Sequence, residues 1–176
     1  MAAAGWTARR IQPIGSRISE PRRPSPRARS TDRVFATVAL TVALVVASAF
    51  IHYEALRWCN DHLSRVERVP PRAKVLLAMG AAFCSHLAQM AAFAAGYALL
   101  EWTGHGSLLG NLGGRWATFL YFSAETYTSL GFGDVYPIGA MRLVVGMEAL
   151  TGLLMISWTA SFSYLEMQRH WSSPRR

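Results

Sequence analysis

Two glycines flank one aromatic residue in Thr128-Ser129-Leu130-Gly131-Phe132-Gly133-Asp134, with hydroxyls upstream and a carboxylate downstream. Glycine alone tolerates the backbone torsions that turn successive carbonyl oxygens toward one axis. Rings of such oxygens can replace the water shell of a cation. Glu125 stands nine residues before Asp134. Two carboxyls brought close in a low dielectric cannot both ionise cheaply, so a shared proton is one reading of the pair. The other is that Glu125 caps or solvates a short helix. Glu148 is a carboxylate within an apolar run, which implies a protein-facing or wet position. It is read as a buttress, hydrogen-bonded to the short helix, ahead of direct ion contact. His52, His86 and Gln89 have no metal-ligand spacing to acids and read as interhelical hydrogen-bonding groups, with proton sensing as the alternative. Cys59 and Cys84 show no paired spacing and read as inert thiols.

The elements that must hold this stretch are apolar and long. Hydrophobic residues make up 52% of the 176 and concentrate in three blocks. Val34 to Ile51 and Val75 to Leu100 contain no charge, and Leu143 to Leu165 contains only Glu148. Each is long enough to cross about 30 Å of hydrocarbon as a helix. A soluble bundle would show charged outer faces, and these blocks show none. The fold class expected is therefore an all-α membrane protein with three transmembrane helices. Small residues in the second block, among them Gly80, Ala91, Ala94 and Gly96, suit close helix packing in lipid.

The expected division along the chain is a disordered basic tail over 1–33, a first transmembrane helix over 34–52 and a polar basic loop over 53–74. A pore unit follows over 75–167, and then a C-terminal tail over 168–176. Within 75–167 the outer helix is 75–100, a glycine-rich loop is 101–114, a short aromatic helix is 115–127, the glycine segment is 128–134 and the inner helix is 141–166. The short helix is too short to span and bears Trp116, Phe119, Tyr121, Phe122 and Tyr127. A half-length helix feeding a glycine segment between two spanning helices makes a re-entrant loop, tolerated only where protein or water covers its backbone. Its C-terminal end, carrying partial negative charge, favours a cation. One loop per chain cannot enclose an axis, so a homotetramer is required.

The net charge of +8 is local. Residues 1–33 hold eight arginines against Glu20 and Asp32, which accounts for six of the eight charges. Such a tail fits contact with anionic lipid or a start codon placed upstream of the true one, ahead of a targeting segment or a nucleic-acid arm. No folded basic surface accompanies it, so nucleic acid is not an expected partner. No nucleophile–base pair, metal motif or phosphate loop supports an enzyme. No helix carries the arginine repeat of a voltage sensor.

Residues 75–167 closely resemble the pore region of two-transmembrane-unit potassium channels, and of small bacterial ion-channel proteins with one extra helix in front. The resemblance is strongest over Glu125-Thr126-Tyr127-Thr128-Ser129-Leu130-Gly131-Phe132-Gly133-Asp134-Val135-Tyr136-Pro137, against the pattern E/x-T-x-T-T-V-G-Y-G-D-x-x-P. It implies passive potassium conduction across a lipid bilayer, the ion being held at Ser129, Leu130, Gly131 and Phe132 with no cofactor. Thr128 and Gly133 complete the conducting filter, and Glu125 and Asp134 support it. Gly152 follows Arg142 by ten residues, a spacing that resembles the family's gating hinge. A multi-pass protein of the bacterial plasma membrane is implied. This sequence departs from the pattern at three places. Ser129 lacks the stiffening methyl of threonine, Leu130 removes β-branching, and Phe132 lacks the hydroxyl that braces the filter. Relaxed selectivity or an inactivation-prone filter would follow. A weakly selective cation channel and a non-conducting subunit of a channel assembly are the alternatives.

The resemblance puts the filter mouth outside. Residues 53–74 and the C-terminal end then carry eight Lys and Arg inside, against Arg115 and Arg142 outside, as the positive-inside rule requires. An exported tail reverses that balance, ten to eight. In the competing topology, Val34–Ile51 is the outer pore helix and residues 52–110 an external cap.

Overall fold

The first helix is built inside out. Along α1 (Pro26–Leu63) the residues Thr37, Thr41, Ser48 and His52 are buried, while Val34, Val38, Val42, Val46 and Phe50 are exposed. A polar face turned inward and an apolar face turned outward suit lipid as the surrounding solvent. Two of the inward hydroxyls are satisfied locally: Thr37 donates to the Arg33 carbonyl at 2.9 Å and Thr41 to the Thr37 carbonyl at 2.7 Å, while the buried Ser48 Oγ has no hydrogen-bond partner. The computed structural model describes residues 26–63, 65, 69–111 and 113–171.

The order of elements is α1, α2 (Pro71–Trp102), β1 (Gly106–Gly110), α3 (Arg115–Tyr127), β2 (Val135–Gly139) and α4 (Met141–Trp171). Three stretches, Arg33–His62, Arg72–Trp102 and Met141–Arg169, are long and apolar enough to cross a membrane. α2 begins at Pro71, where the missing N–H is harmless and φ is already helical. It packs against each of the other three helices. Phe93, Tyr97 and Leu100 of α2 meet Phe119 and Phe122 of α3 and Met141 and Val144 of α4 in one core, closed by Leu108 and Val135. That core lies toward the end of the bundle carrying β1 and β2.

Several bounds differ from those expected. α1 reaches eight residues before Val34 and continues to Leu63, so residues 26–33 and 53–63 are helical rather than tail and loop. α4 likewise runs on to Trp171. Hydropathy marks what lipid contacts, whereas a helix ends only where its backbone pairing ends, and the flanking Arg, Ala, Leu and Glu are good helix formers. Residues 1–25 and 172–176, the rest of the two expected tails, lie outside the described residues. α3 has the bounds expected.

The glycine-rich loop supplies β1 of an antiparallel strand pair with β2, which was not expected. Gly106 faces Gly139, Leu108 faces Pro137 and Gly110 faces Val135. Pro137 is tolerated because a two-stranded sheet is all edge. Gly110, at φ 123°, could not carry a side chain: a Cβ there would lie 2.0 Å from the Asp134 carbonyl oxygen.

One end of the bundle is tied by a hydrogen bond between helices. Arg169 of α4 donates to Asn60 of α1 at 2.7 Å, so the C-terminal ends of these helices meet. Arg33, near the start of α1, shares a cavity with Glu101, His105 and Gly139 at the strand end. The described residues of 53–74 therefore lie at the end opposite Asp134. Where the competing topology expects an external cap, residues 71–102 form one continuous helix packed on α3.

Candidate functional site

α3 ends in a motif that aims the chain. Ser129 N–H donates to the Thr126 carbonyl at 3.0 Å and Leu130 N–H to the Glu125 carbonyl at 2.8 Å, a Schellman closure. The motif needs a left-handed residue, and Ser129 takes that place at φ 58°. Serine has no second branch at Cβ, which lessens the crowding a left-handed backbone imposes. The threonine of the family pattern would add that branch. Thr128 donates its hydroxyl back to the Ala124 carbonyl at 2.7 Å.

Beyond the motif, left-handed torsions recur at every second residue: Ser129, Gly131 at 56° and Gly133 at 80°. The N–H groups of Leu130 and Gly131 both point to the Glu125 carbonyl, and that of Phe132 to the Glu125 carboxylate at 3.2 Å. All peptide bonds here are trans. In a planar trans peptide the carbonyl opposes the N–H of the next residue. The carbonyls of Ser129, Leu130 and Gly131 are thereby turned away from α3. Among the described residues this segment is left open: Leu130 is 59% and Phe132 67% exposed.

No direct hydrogen bond joins the Glu125 and Asp134 carboxyls. Tyr121, four residues before Glu125 on α3, donates to Asp134 at 2.9 Å. Burial raises the Glu125 carboxyl above the ordinary range, the Phe132 N–H opposes this, and the Asp134 charge adds to it. Asp134 is also fixed through its backbone, its carbonyl accepting from Asn111 N–H at 3.0 Å. Tyr121 was not foreseen as a site residue. Its i, i+4 spacing to Glu125 was the available signal.

Glu148 is fully buried and receives the hydroxyls of Tyr97 on α2 and Ser123 on α3. Ser123 also lies 2.8 Å from the Met90 carbonyl. One carboxyl thus joins three helices behind the exposed segment. Tyr97 and Ser123 carry no sequence signal, because only the crossing of α2, α3 and α4 brings them to Glu148. His86 lies within 2.9 Å of both the Tyr127 and Thr159 hydroxyls. Gly152 lies within the unbroken α4 and packs directly on the end of α3. A Cβ there would meet the Tyr127 carbonyl oxygen at 2.0 Å. Close approach of α3 backbone requires glycine here. Among the described residues, no group of three or more His, Cys, Asp or Glu is arranged to hold a metal ion.

Residues 87–166 match the family model described as ion channel. The chain carries an ion-channel domain. Its match begins within α2, takes in β1, α3, the 128–134 segment and β2, and ends within α4. No curated protein and no solved structure is matched. With three apolar helices, an ion-channel domain makes the chain a multi-pass integral membrane protein. The family is not an enzyme class. α1 lies wholly outside the matched domain.

Proposed function

We propose that four copies of this chain form a potassium channel of the bacterial plasma membrane, conducting passively through residues 128–133 with no cofactor. In this arrangement α3 is a re-entrant pore helix, and the segment after it is the selectivity filter. The observation that carries the proposal is the backbone of that segment. Three successive N–H groups are occupied by Glu125, and the matching carbonyls turn toward a face that the described residues leave open. Four such faces about an axis would stack rings of oxygens able to replace a cation's water shell. Potassium is placed at Ser129, Leu130, Gly131 and Phe132, with Thr128 and Gly133 at the two ends. Glu125, and Asp134 with Tyr121, support the filter from behind. Nothing in the arrangement calls for nucleic acid.

The test is reconstitution of the purified chain into potassium-loaded vesicles. Barium-sensitive potassium efflux is expected, and its absence would overturn the proposal. A weakly selective cation channel is favoured by one observation: Phe132 is exposed and brings no hydroxyl to brace the filter. Reversal potentials in mixed sodium and potassium separate the two. A reversal near zero in equal gradients of opposite sense selects the weakly selective channel.

A further inference from the structure

Behind the filter, five side chains from all four helices close a ring of hydrogen bonds. Tyr127 donates to Gln89 Oε1 at 2.7 Å, which spends the phenol proton. Its oxygen must then accept from His86 Nδ1 at 2.9 Å. A neutral His86 has Nε2 left as acceptor, so the Thr159 hydroxyl donates to it at 2.9 Å. Thr159 in turn accepts from His52 Nε2 at 3.3 Å. His52 Nδ1, now the acceptor of a neutral ring, takes the Gln89 amide N–H at 3.3 Å. The circuit is complete, and each member donates once and accepts once. It holds only if the two imidazoles are neutral and of opposite tautomer.

A second acceptor waits beside this circuit. Ser85 Oγ lies 3.1 Å from His52 Nδ1 and has already committed its own proton to the Ala82 carbonyl at 2.7 Å. It can only accept from His52. We propose that His52 is a proton-binding site which couples α1 to the filter. The proposal rests on the channel reading above. A proton added at Nδ1 is received by Ser85 and expels the Gln89 amide. Gln89 must turn, and it is Gln89 Oε1 that holds Tyr127, the residue directly before Thr128. Loss of that bond frees the filter's base, and conduction falls.

The groups facing His52 allow one proton there and no more. From α2 comes His86, with ring centroids 5.1 Å apart, so a second imidazolium would be repelled. From α3 comes the phenol Tyr127. From α4 come Thr159 and Trp158, neither of them titratable, and Glu148, which acts on Tyr127. A groove of about 250 Å³ between α1 and α4 comes near the site: Trp158 lies in its wall, and that indole is 5.3 Å from the His52 ring.

Two measurements test this on the full chain in lipid nanodiscs and vesicles. In ¹⁵N-histidine spectra near neutral pH, His52 should carry its proton on Nε2 and His86 on Nδ1, signals being assigned by His52→Gln and His86→Gln. On acidification His52 should become doubly protonated before His86. Potassium flux should fall about fivefold or more across the same pH range in which the spectra show His52 becoming doubly protonated. His52→Gln should abolish that fall, and Ser85→Ala should move it to lower pH. Identical tautomers, or a pH response that survives in His52→Gln, overturns the coupling. Should His52→Gln fail to fold, the Ser85→Ala shift decides in its place. Absence of flux at every pH refutes the channel reading instead, and the tautomers then decide whether the proton site stands.

Discussion

Replacing Gly152 by alanine is the sharpest perturbation of the packing behind the filter. The added Cβ would sit 2.0 Å from the Tyr127 carbonyl oxygen and 2.8 Å from its carbon, and ordinary contact begins at 3.4 Å. Restoring contact means moving α4 from α3 by about 1.4 Å, the difference between 3.4 and 2.0 Å. No side chain can rotate away, since both partners are backbone. Overpacking of this kind costs about 1–3 kcal/mol. Alanine in a helix interior returns roughly 0.5–1 kcal/mol. Gly146 supplies the control: it lies in the same helix, and a Cβ there meets nothing within 4 Å. Gly146→Ala carries the propensity gain alone, so the difference between the two variants isolates the packing term. Denaturant unfolding in one detergent should place Gly152→Ala about 1–3 kcal/mol below Gly146→Ala. Flux should fall in Gly152→Ala as well, because Tyr127 adjoins Thr128. Equal stability of the two variants would refute the close-approach argument. Altered opening with unchanged stability would return Gly152 to the role of hinge.

Glu125→Ala removes the acceptor of Phe132 N–H and should lower stability by about 1–3 kcal/mol and abolish flux; Glu125→Gln keeps a carbonyl acceptor and should retain most of both. Unfolding and efflux measured side by side check the pair. Tyr97→Phe deprives buried Glu148 of one donor and should destabilise the fold by about 1–3 kcal/mol in the same unfolding assay. Exchanging potassium for sodium should lower the thermal stability of the purified protein, because an ion bound only by the folded state stabilises it. Melting curves that coincide in the two salts would speak against selective potassium binding.

The short helix 115–127 was legible because its ends carry strong local signals, Gly113-Gly114 before it and the glycine segment after it. Three apolar helices were legible from length and charge, and their ends were not. Arg27, Ala28 and Arg29 extend a helix as readily as they form a tail, and hydropathy cannot distinguish the two. The β1–β2 pair was missed because Gly106–Gly110 and Val135–Gly139 are short, glycine-bounded and set by long-range pairing. At the site, Glu125 and Asp134 could be found by type and spacing. How they are held could not, since Tyr121 reads as one more interfacial aromatic. The ring around His52 shows the same limit. His52, His86 and Gln89 stand out as polar residues in apolar runs. Thr159 is unremarked, and Tyr127 reads as one more aromatic of the short helix, until four helices converge on them.

An experimental structure of the chain in potassium, from lipid nanodiscs, bears most directly on the conduction path. Four chains should surround an axis, with ion density between the carbonyl oxygens of Ser129, Leu130 and Gly131. A single chain, or residues 128–133 wound into helix, or an axis without ions, would contradict it.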